Sequence, residues 1–227
     1  MSREPFITGE FYHIYNRGVE GRDIFLDQPD YSRFLLGMKA FNNAKSIFSL
    51  SRHIKHEETN QFFKQEPIVE FVCYTLMPNH YHFIVRQLKD EGISRFMQRL
   101  GTAYTKYFNK RYERAGVLFQ GLFKSKHISD DSYLMHVSRY VHLNVLSLMQ
   151  PNWAEEGVRN KKKAFEFLKS YQWHSLGSWL ENKPSLVKLD ANVVLRKFIS
   201  KRGYEVFLAD WLIGQSEALT TDWVPMC

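Results

Sequence analysis

The sequence predicts an α+β fold in which a ferredoxin-like antiparallel sheet carries helices on one face. Three patterns lead to this prediction. Strand-like stretches alternate with amphipathic stretches of helical spacing, two strands are separated only by Pro78-Asn79, and Asp residues precede two of the helices. A hairpin interleaved with helices is typical of α+β domains whose helices pack against one side of a sheet.

The predicted elements follow the order strand, helix, strand, strand, helix, strand, helix. The strands are "EFYHIYNRG", "IVEFVCYTLM", "HYHFIVRQL" and "VLFQGLFKSKHI". The helices are "YSRFLLGMKAFNNA" after a cap at Asp30, "GISRFMQRLGTAYTKYFNKRY", and "SYLMHVSRYVHLNVLSLM" after a cap at Asp130 or Asp131. Residues 45–65 show no clean period, so we expect them to be mostly irregular.

Composition favours a folded globular protein, since 44% of the 227 residues are hydrophobic and 24% are charged. The length favours one functional domain, which we place at residues 1–150, with an accessory region at residues 151–227. The two cysteines, Cys73 and Cys227, make neither a disulfide framework nor a metal-binding pair, so we expect a cytoplasmic protein. No stretch approaches the ~18 apolar residues that cross a bilayer, so we expect no membrane partner.

Charge and aromatic content favour a nucleic-acid partner. Lys and Arg outnumber Asp and Glu by 31 to 24, which gives a formal net charge of +7. Aromatic residues, 15% of the chain, lie among basic ones in "AYTKYFNKRYERAGVLFQGLFKSKH". Cations for phosphates and rings for bases are the mixture that holds single-stranded nucleic acid. The alternative is an amphipathic helix with its rings in the core and its cations in solvent.

Two groups of residues are candidates for chemistry. His80 and His82 lie two residues apart in a predicted strand, so their imidazoles share a face, which suits either a metal site or a solvated surface. In the last helix His136, Tyr140 and Asn144 follow at steps of four and line one stripe. An imidazole or amide one turn from a phenol, facing the two histidines, would place a nucleophile beside Mg²⁺ or Mn²⁺. A core aromatic is the alternative for the tyrosine.

Four motifs together resemble the REP-associated and insertion-sequence single-tyrosine transposases. They are "YHIYNRG", "TLMPNHYHFIV", "YTKYFNKRYERAGVLFQGLFK" and "SRYVHLNV", and the resemblance covers about residues 5–150. It implies a ferredoxin-like fold of the HUH endonuclease type. It also implies a metal-dependent enzyme that cuts and rejoins single-stranded DNA, at hairpin-forming sequences, through a 5′-phosphotyrosine intermediate.

The same resemblance implies roles for individual residues. His80 and His82 would be metal ligands, Asn144 the third ligand, and Tyr140 the attacking nucleophile, with Mg²⁺ or Mn²⁺ as the cofactor. The basic residues that we expect to contact DNA are Arg17, Lys106, Lys110, Arg111, Lys124 and Lys126. His13 lies in the first motif, where we expect a buried or DNA-facing histidine without an assigned catalytic role.

Two positions depart from the family pattern. Leu122 stands where relatives often have Arg, which removes a cation that could contact DNA, and Val145 stands where they often have Pro. Two other functions remain open at this stage: a protein that binds DNA hairpins without cutting them, and an RNA-binding module whose sheet aromatics stack on bases. The intact histidines, tyrosine and asparagine argue against binding alone. Both a monomer and a homodimer are open.

Overall fold

The computed structural model of the protein describes residues 5–45, 66–197 and 201–213. A four-stranded antiparallel sheet lies at its centre, in the order β2-β3-β1-β4. The strands are β1 (Phe11–Arg17), β2 (Val69–Met77), β3 (His80–Gln87) and β4 (Lys124–Ile128). The long helices are α1 (Gln28–Phe41), α2 (Gly92–Arg111) and α3 (Asp131–Leu143). The first six elements form a ferredoxin-like βαββαβ unit, so the predicted fold class is confirmed; residues 46–65 of the expected irregular stretch lie outside the described residues.

One face of the sheet packs against α1 and α2. Because successive side chains of a strand point to opposite faces, Tyr12 and Ile14 of β1 lie on the same side as Tyr81, Phe83 and Val85 of β3. These side chains are buried in one hydrophobic cluster with the apolar stripes of the two helices. The two helices of the ferredoxin-like unit therefore share one face, as predicted.

The opposite face of the sheet is covered by α3 and by the accessory region. Ile84 of β3 and Ile128 of β4 are buried there, in a second hydrophobic cluster. The accessory helices are α4 (Trp153–Glu156), α5 (Lys161–Ser170), α6 (Leu176–Leu180), α7 (Asn192–Leu195) and α8 (Lys201–Ile213). The helical spacing predicted α3 itself, but with the other helices on one face of the sheet; its place on the face opposite α1 and α2 was not predicted. Within the described ranges, no helix combines the length and apolarity that a bilayer crossing requires.

The accessory region also closes the edge of the sheet at β2. The backbone N–H of Leu76 donates to the carbonyl of Trp173 at 2.8 Å, and that of Asp190 donates to the carbonyl of Phe71 at 2.7 Å. An uncovered edge strand would present unpaired backbone groups to other chains. The accessory region is therefore attached to the sheet by backbone hydrogen bonds along β2.

The start of α1 differs from the prediction. Asp27, and not Asp30, is the N-cap, and its side chain accepts from the backbone N–H of Asp30. The reason is Pro29, which is well tolerated in a first helical turn and so lets the helix begin one turn earlier. Asp30 is instead fully buried and accepts hydrogen bonds from Arg111 and Tyr112. This carboxylate thereby links α1 to the end of α2.

Buried polar contacts attach α3 to the accessory region. His142 lies with Nδ1 at 3.0 Å from the Tyr204 hydroxyl and Nε2 at 2.8 Å from the Ser175 hydroxyl. All three side chains are fully buried. On the same helix, the guanidinium of Arg139 lies 4.2 Å from the ring centroid of Phe207 in α8. Moving α3 would leave these buried polar groups unpaired, which costs free energy. The contacts therefore hold α3 in one position on the sheet.

Candidate active site

The pairing of β1 with β3 places five polar or aromatic side chains on the face that α3 covers. In this antiparallel register Tyr15 lies opposite His82, and Arg17 lies opposite His80. His13 is two residues before Tyr15 and therefore shares its face. The rings of His80 and His82 lie 5.0 Å apart and are nearly perpendicular, at 87°. The two histidines are thus neighbours at one end of the sheet, as the strand period predicts.

Helix α3 crosses this face and brings its tyrosine to the histidines. The hydroxyl of Thr75 in β2 donates to the carbonyl of Val141 at 2.5 Å, which ties the helix to the sheet next to the site. The ring of Tyr140 meets His82 edge-on at a centroid distance of 5.3 Å and meets His13 at 6.0 Å. Tyr140 is therefore held directly beside the histidine pair.

The asparagine one turn beyond the tyrosine reaches the first histidine. Asn144 is buried, its backbone N–H donates to the carbonyl of Tyr140, and its Oδ1 lies 3.0 Å from Nε2 of His80. His136, one turn before Tyr140, is exposed and contacts Arg139 instead, at 2.7 Å. Of the two residues that the helical spacing offered, the structure brings the amide to the histidines and not the imidazole.

Two amide oxygens face the two ring nitrogens of His80. Its Nδ1 lies 2.7 Å from Oδ1 of Asn79, and its Nε2 faces Oδ1 of Asn144. Burial lowers the pKa of His80 from its usual value, so the neutral ring carries one N–H for two amide oxygens. With the amides oriented in this way, one ring nitrogen faces an oxygen without a hydrogen between them. A cation bound by both atoms would remove that conflict.

The distance between those two atoms also fits a shared ion. Ligands at about 2.1 Å from an octahedral Mg²⁺ lie about 3 Å from each other when they are adjacent. Nε2 of His80 and Oδ1 of Asn144 are 3.0 Å apart. Both the chemistry of the donors and their separation are therefore compatible with one metal ion.

The second histidine has a nitrogen without a partner. Within the described part of the chain, the buried Nε2 of His82 makes no hydrogen bond, while its Nδ1 lies 2.9 Å from Nε2 of His13. Burial lowers the pKa of His82 well below its usual value and lowers that of His13 to about 3. Both rings are therefore neutral at physiological pH. A neutral imidazole with an unshared nitrogen is the form that binds metals.

The candidate metal ligands are therefore two imidazoles and one amide. Among the residues that the structure describes, no three His, Cys, Asp or Glu side chains cluster in a way that could hold an ion. The donor set of His80, His82 and Asn144 has no carboxylate or thiolate, and it leaves coordination positions open. Such a set could bind a divalent cation together with oxygen ligands from a substrate.

Three of the six basic candidates lie beside this site. Arg17 ends β1, directly opposite the first histidine of β3. Lys124 and Lys126 lie on the neighbouring strand β4, where they pair with Tyr15 and His13 of β1. All three basic side chains are exposed. They form a basic edge, which we define as Arg17, Lys124 and Lys126.

The other three basic candidates lie elsewhere. Lys106, Lys110 and Arg111 belong to α2, which packs on the opposite face of the sheet from the histidines. Lys106 and Lys110 are exposed there. Arg111 forms ion pairs with Asp27 and Asp30, and its guanidinium is thereby committed to holding α1 against α2. The structure does not bring these three residues to the histidine site.

Three residues of the site were not assigned a role from the sequence. Asn79 lies beside His80, Thr75 ties α3 to the sheet, and His13 contacts His82. The parity of β1 could have placed His13 on the same face as Tyr15, but the pairing of β1 with β3 was needed to place it against His82. No local signal identifies the partner of Thr75, because the two atoms are 66 residues apart.

We expect the metal-free protein to lose stability as the pH falls from 7.5 to 5.5. Burial lowers the pKa of His13 to about 3, that of His174 to about 4, and those of His82 and His142 well below their usual value. The unfolded chain binds protons at these residues near pH 6.5, so stability is present above that pH and is lost below it. The loss should approach about 1.4 kcal/mol per pH unit for each histidine that stays neutral in the folded state.

Urea denaturation in the presence of a chelator, at steps between pH 7.5 and 5.5, measures this dependence. The control variant His174→Gln removes one of these four histidines, one that lies outside the candidate site, and should show a shallower pH dependence than the wild type. A free energy of unfolding that is constant over this range would contradict the neutral assignment of these rings.

Residues 38–144 match the model of the family described as "Transposase IS200 like". This range contains both histidines, the tyrosine and the asparagine of the candidate site, and the match supports a transposase-like role in DNA processing. No curated protein matches the chain.

Two solved structures are similar to the protein. A REP-associated tyrosine transposase bound to a REP hairpin superposes with a TM-score of 0.51 at 14% identity, over 84% of this chain and 92% of that chain. A candidate transposase from Deinococcus radiodurans R1 gives a TM-score of 0.34 at 13% identity, over 62% of this chain and 94% of that chain, and this value supports no conclusion. The first similarity concerns the fold alone. Together with the family match, it confirms the resemblance that the four sequence motifs indicated: over residues 38–144 this chain is similar to the IS200-like transposases.

Proposed function

We propose that this chain is a metal-dependent enzyme that cuts and rejoins single-stranded DNA with Tyr140 as its nucleophile. The observation that carries the proposal is the contact of the Tyr140 ring with His82, whose Nε2 is buried and without a hydrogen-bond partner among the described residues. If Tyr140 were only a core aromatic, the unpaired Nε2 of His82 beside it would have no explanation. If Tyr140 is a nucleophile, that nitrogen is free to bind the metal next to it.

Three residues would hold the metal in this proposal: His80, His82 and Asn144. Mg²⁺ or Mn²⁺ bound there would polarise the scissile phosphate and neutralise part of its charge. With its proton on Nδ1, His80 would donate to Oδ1 of Asn79 and leave Nε2 for the ion. The orphaned Nε2 of His82 and the two amide oxygens that face the neutral ring of His80 support this assignment.

The reaction transfers a phosphoryl group from one oxygen to another. The Tyr140 oxygen forms a bond to the phosphorus, and the bond between phosphorus and the 3′ oxygen breaks. The phenol loses its proton and the departing 3′ oxygen gains one, so the products are a 5′-phosphotyrosine and a free 3′ hydroxyl. The number of phosphate ester bonds is unchanged. A second 3′ hydroxyl can therefore reverse the step and join two strands without ATP.

The basic edge would hold the DNA in this proposal. Arg17, Lys124 and Lys126 are exposed and lie on β1 and on the neighbouring strand β4, where their charges could pair with phosphates on either side of the cut. The similar transposase is described as bound to a REP hairpin. We therefore propose single-stranded DNA that forms a hairpin as the substrate class.

The first prediction concerns metal binding. We expect His80→Ala or His82→Ala to lower the affinity for Mn²⁺ by about 100-fold or more, because removing a direct ligand should cost at least as much as removing a group that orients one. Isothermal titration calorimetry measures this affinity. The matched control is His127→Ala, which removes an exposed histidine of β4 and should bind Mn²⁺ as the wild type does. Unchanged affinity in both site variants would refute the ligand assignment.

The second prediction concerns the nucleophile. Tyr140→Phe keeps the ring that packs on His82 but removes the attacking oxygen, so it should bind DNA normally and form no covalent adduct. The test incubates the protein with labelled hairpin single-stranded DNA and Mn²⁺ and separates adducts on a denaturing gel. Tyr133→Phe, on the same helix, is the control and should still form the adduct. If Tyr140→Phe became covalently attached, another tyrosine would be the nucleophile.

The third prediction separates the two groups of basic residues. DNA affinity should fall as salt rises, because each neutralised phosphate releases counterions, and each contact contributes about 0.7 to the slope of log affinity against log salt for single strands. Lys124→Ala with Lys126→Ala should weaken binding and lower that slope. Lys106→Ala with Lys110→Ala, two exposed lysines of α2, should leave it unchanged. Fluorescence anisotropy measures the affinities. A larger loss of affinity from the α2 pair would indicate that DNA binds on the other face of the sheet.

A further inference from the structure

A histidine outside the proposed ligand set makes direct contact with one of the ligands. Nε2 of His13 lies 2.9 Å from Nδ1 of His82, and the two rings stack with centroids 5.1 Å apart at 20°. The contact crosses from β1 to β3 and involves residues 69 positions apart in the chain. Both side chains are buried. The contact is therefore a built feature of the sheet and not a chance encounter at the surface.

The proton in this contact can belong to either ring, and the two cases differ in their consequence. If Nε2 of His13 donates, the neutral His82 carries its own hydrogen on Nε2, where the described residues offer no acceptor. If Nδ1 of His82 donates, Nε2 of His82 carries a lone pair instead. Only the second arrangement leaves His82 ready to bind a cation, because a protonated ring nitrogen cannot be a ligand.

We propose that His13 is a positioning residue that accepts the Nδ1–H of His82 and so fixes the tautomer in which Nε2 of His82 binds the metal. This inference rests on the proposed function, since it concerns the same metal site. Metal-binding histidines commonly donate their second ring nitrogen to a neighbouring acceptor, which sets the ring orientation and raises its basicity. Asn79 makes the corresponding contact with His80, at 2.7 Å.

Neighbouring aromatic rings fix the orientation of the His13 ring. Its ring stacks on Tyr15 at 5.0 Å and 28°, and the ring of Tyr140 meets it edge-on at 6.0 Å. These contacts leave its Nε2 directed at His82. The same ring that orients the ligand therefore also contacts the proposed nucleophile, so a change at His13 reaches both members of the site.

Three substitutions at this position test the geometry of the acceptor. His13→Leu removes the acceptor and keeps an apolar side chain. His13→Gln places an amide oxygen near the position of Nε2, whereas the side chain of His13→Asn is one methylene shorter and does not reach it. We expect His13→Leu and His13→Asn to lower the affinity for Mn²⁺ by about 10- to 100-fold and His13→Gln to stay within about threefold of the wild type. Isothermal titration calorimetry gives the affinities, and urea denaturation gives the stability of each variant.

A merely structural role for His13 would weaken metal binding in proportion to the loss of stability and would not distinguish Gln from Asn. Equal Mn²⁺ affinity in the wild type and in all three variants would overturn the proposal. So would a His13→Gln variant that binds Mn²⁺ as weakly as His13→Leu.

A spectroscopic readout tests the tautomer without any metal or variant. Long-range proton–nitrogen NMR spectra of the metal-free wild type, labelled with ¹⁵N-histidine, should show the His82 proton on Nδ1. A proton on Nε2 would overturn the proposal. If the wild type bound no Mn²⁺ while its His82 carried the Nδ1 proton, the metal assignment of the proposed function would fail and the hydrogen bond to His13 would stand. The two failures are therefore distinguishable.

Discussion

The antiparallel pairing of β1 with β3 is the constraint on which the rest of the structure depends. It places Tyr15 opposite His82 and Arg17 opposite His80, and it brings His13 within hydrogen-bond distance of His82. A shift by one residue would turn all of these side chains toward α1 and α2. Such a slip would also turn the apolar side chains that now pack against those helices toward the face that carries the polar site. The hydrophobic pattern of the two strands therefore holds the polar site in register.

The candidate site also depends on the position of α3, which is fixed by contacts with the sheet and with the accessory region. The Thr75 hydroxyl ties the helix to β2 beside the site, while His142 ties it to Ser175 and Tyr204 of the accessory region. The accessory region in turn covers the backbone edge of β2. In the proposed reaction, Tyr140 would have to approach a phosphorus atom closely and in one direction. A helix fixed on both sides satisfies that requirement better than one attached only by apolar contacts.

Electrostatics divide the molecule into two sides. On the side of α3, burial keeps the histidines neutral, while the exposed cations of Arg17, Lys124 and Lys126 stand at the rim. On the side of α2, the guanidinium of Arg111 forms ion pairs with Asp27 and Asp30. Basic residues that look alike in sequence therefore have different surroundings. Those of the basic edge can meet phosphates next to the site, and Arg111 stabilises a helix pair.

The sequence by itself determined the type and order of the elements of the ferredoxin-like unit, because strand and helix periods are local properties of the chain, although β4 begins at Lys124 and not at the predicted Val117. The same periods put His80 and His82 on one face and Tyr140 and Asn144 on one stripe, and the four motifs indicated the family. Only the tertiary structure decided that Asn144 rather than His136 reaches the histidines, because that choice depends on how α3 lies across the sheet. It also decided which cations lie near the site and what His13 contacts, since both depend on strands and helices far apart in the chain. Periodicity tells which side chains share a face, and only long-range packing tells what that face meets.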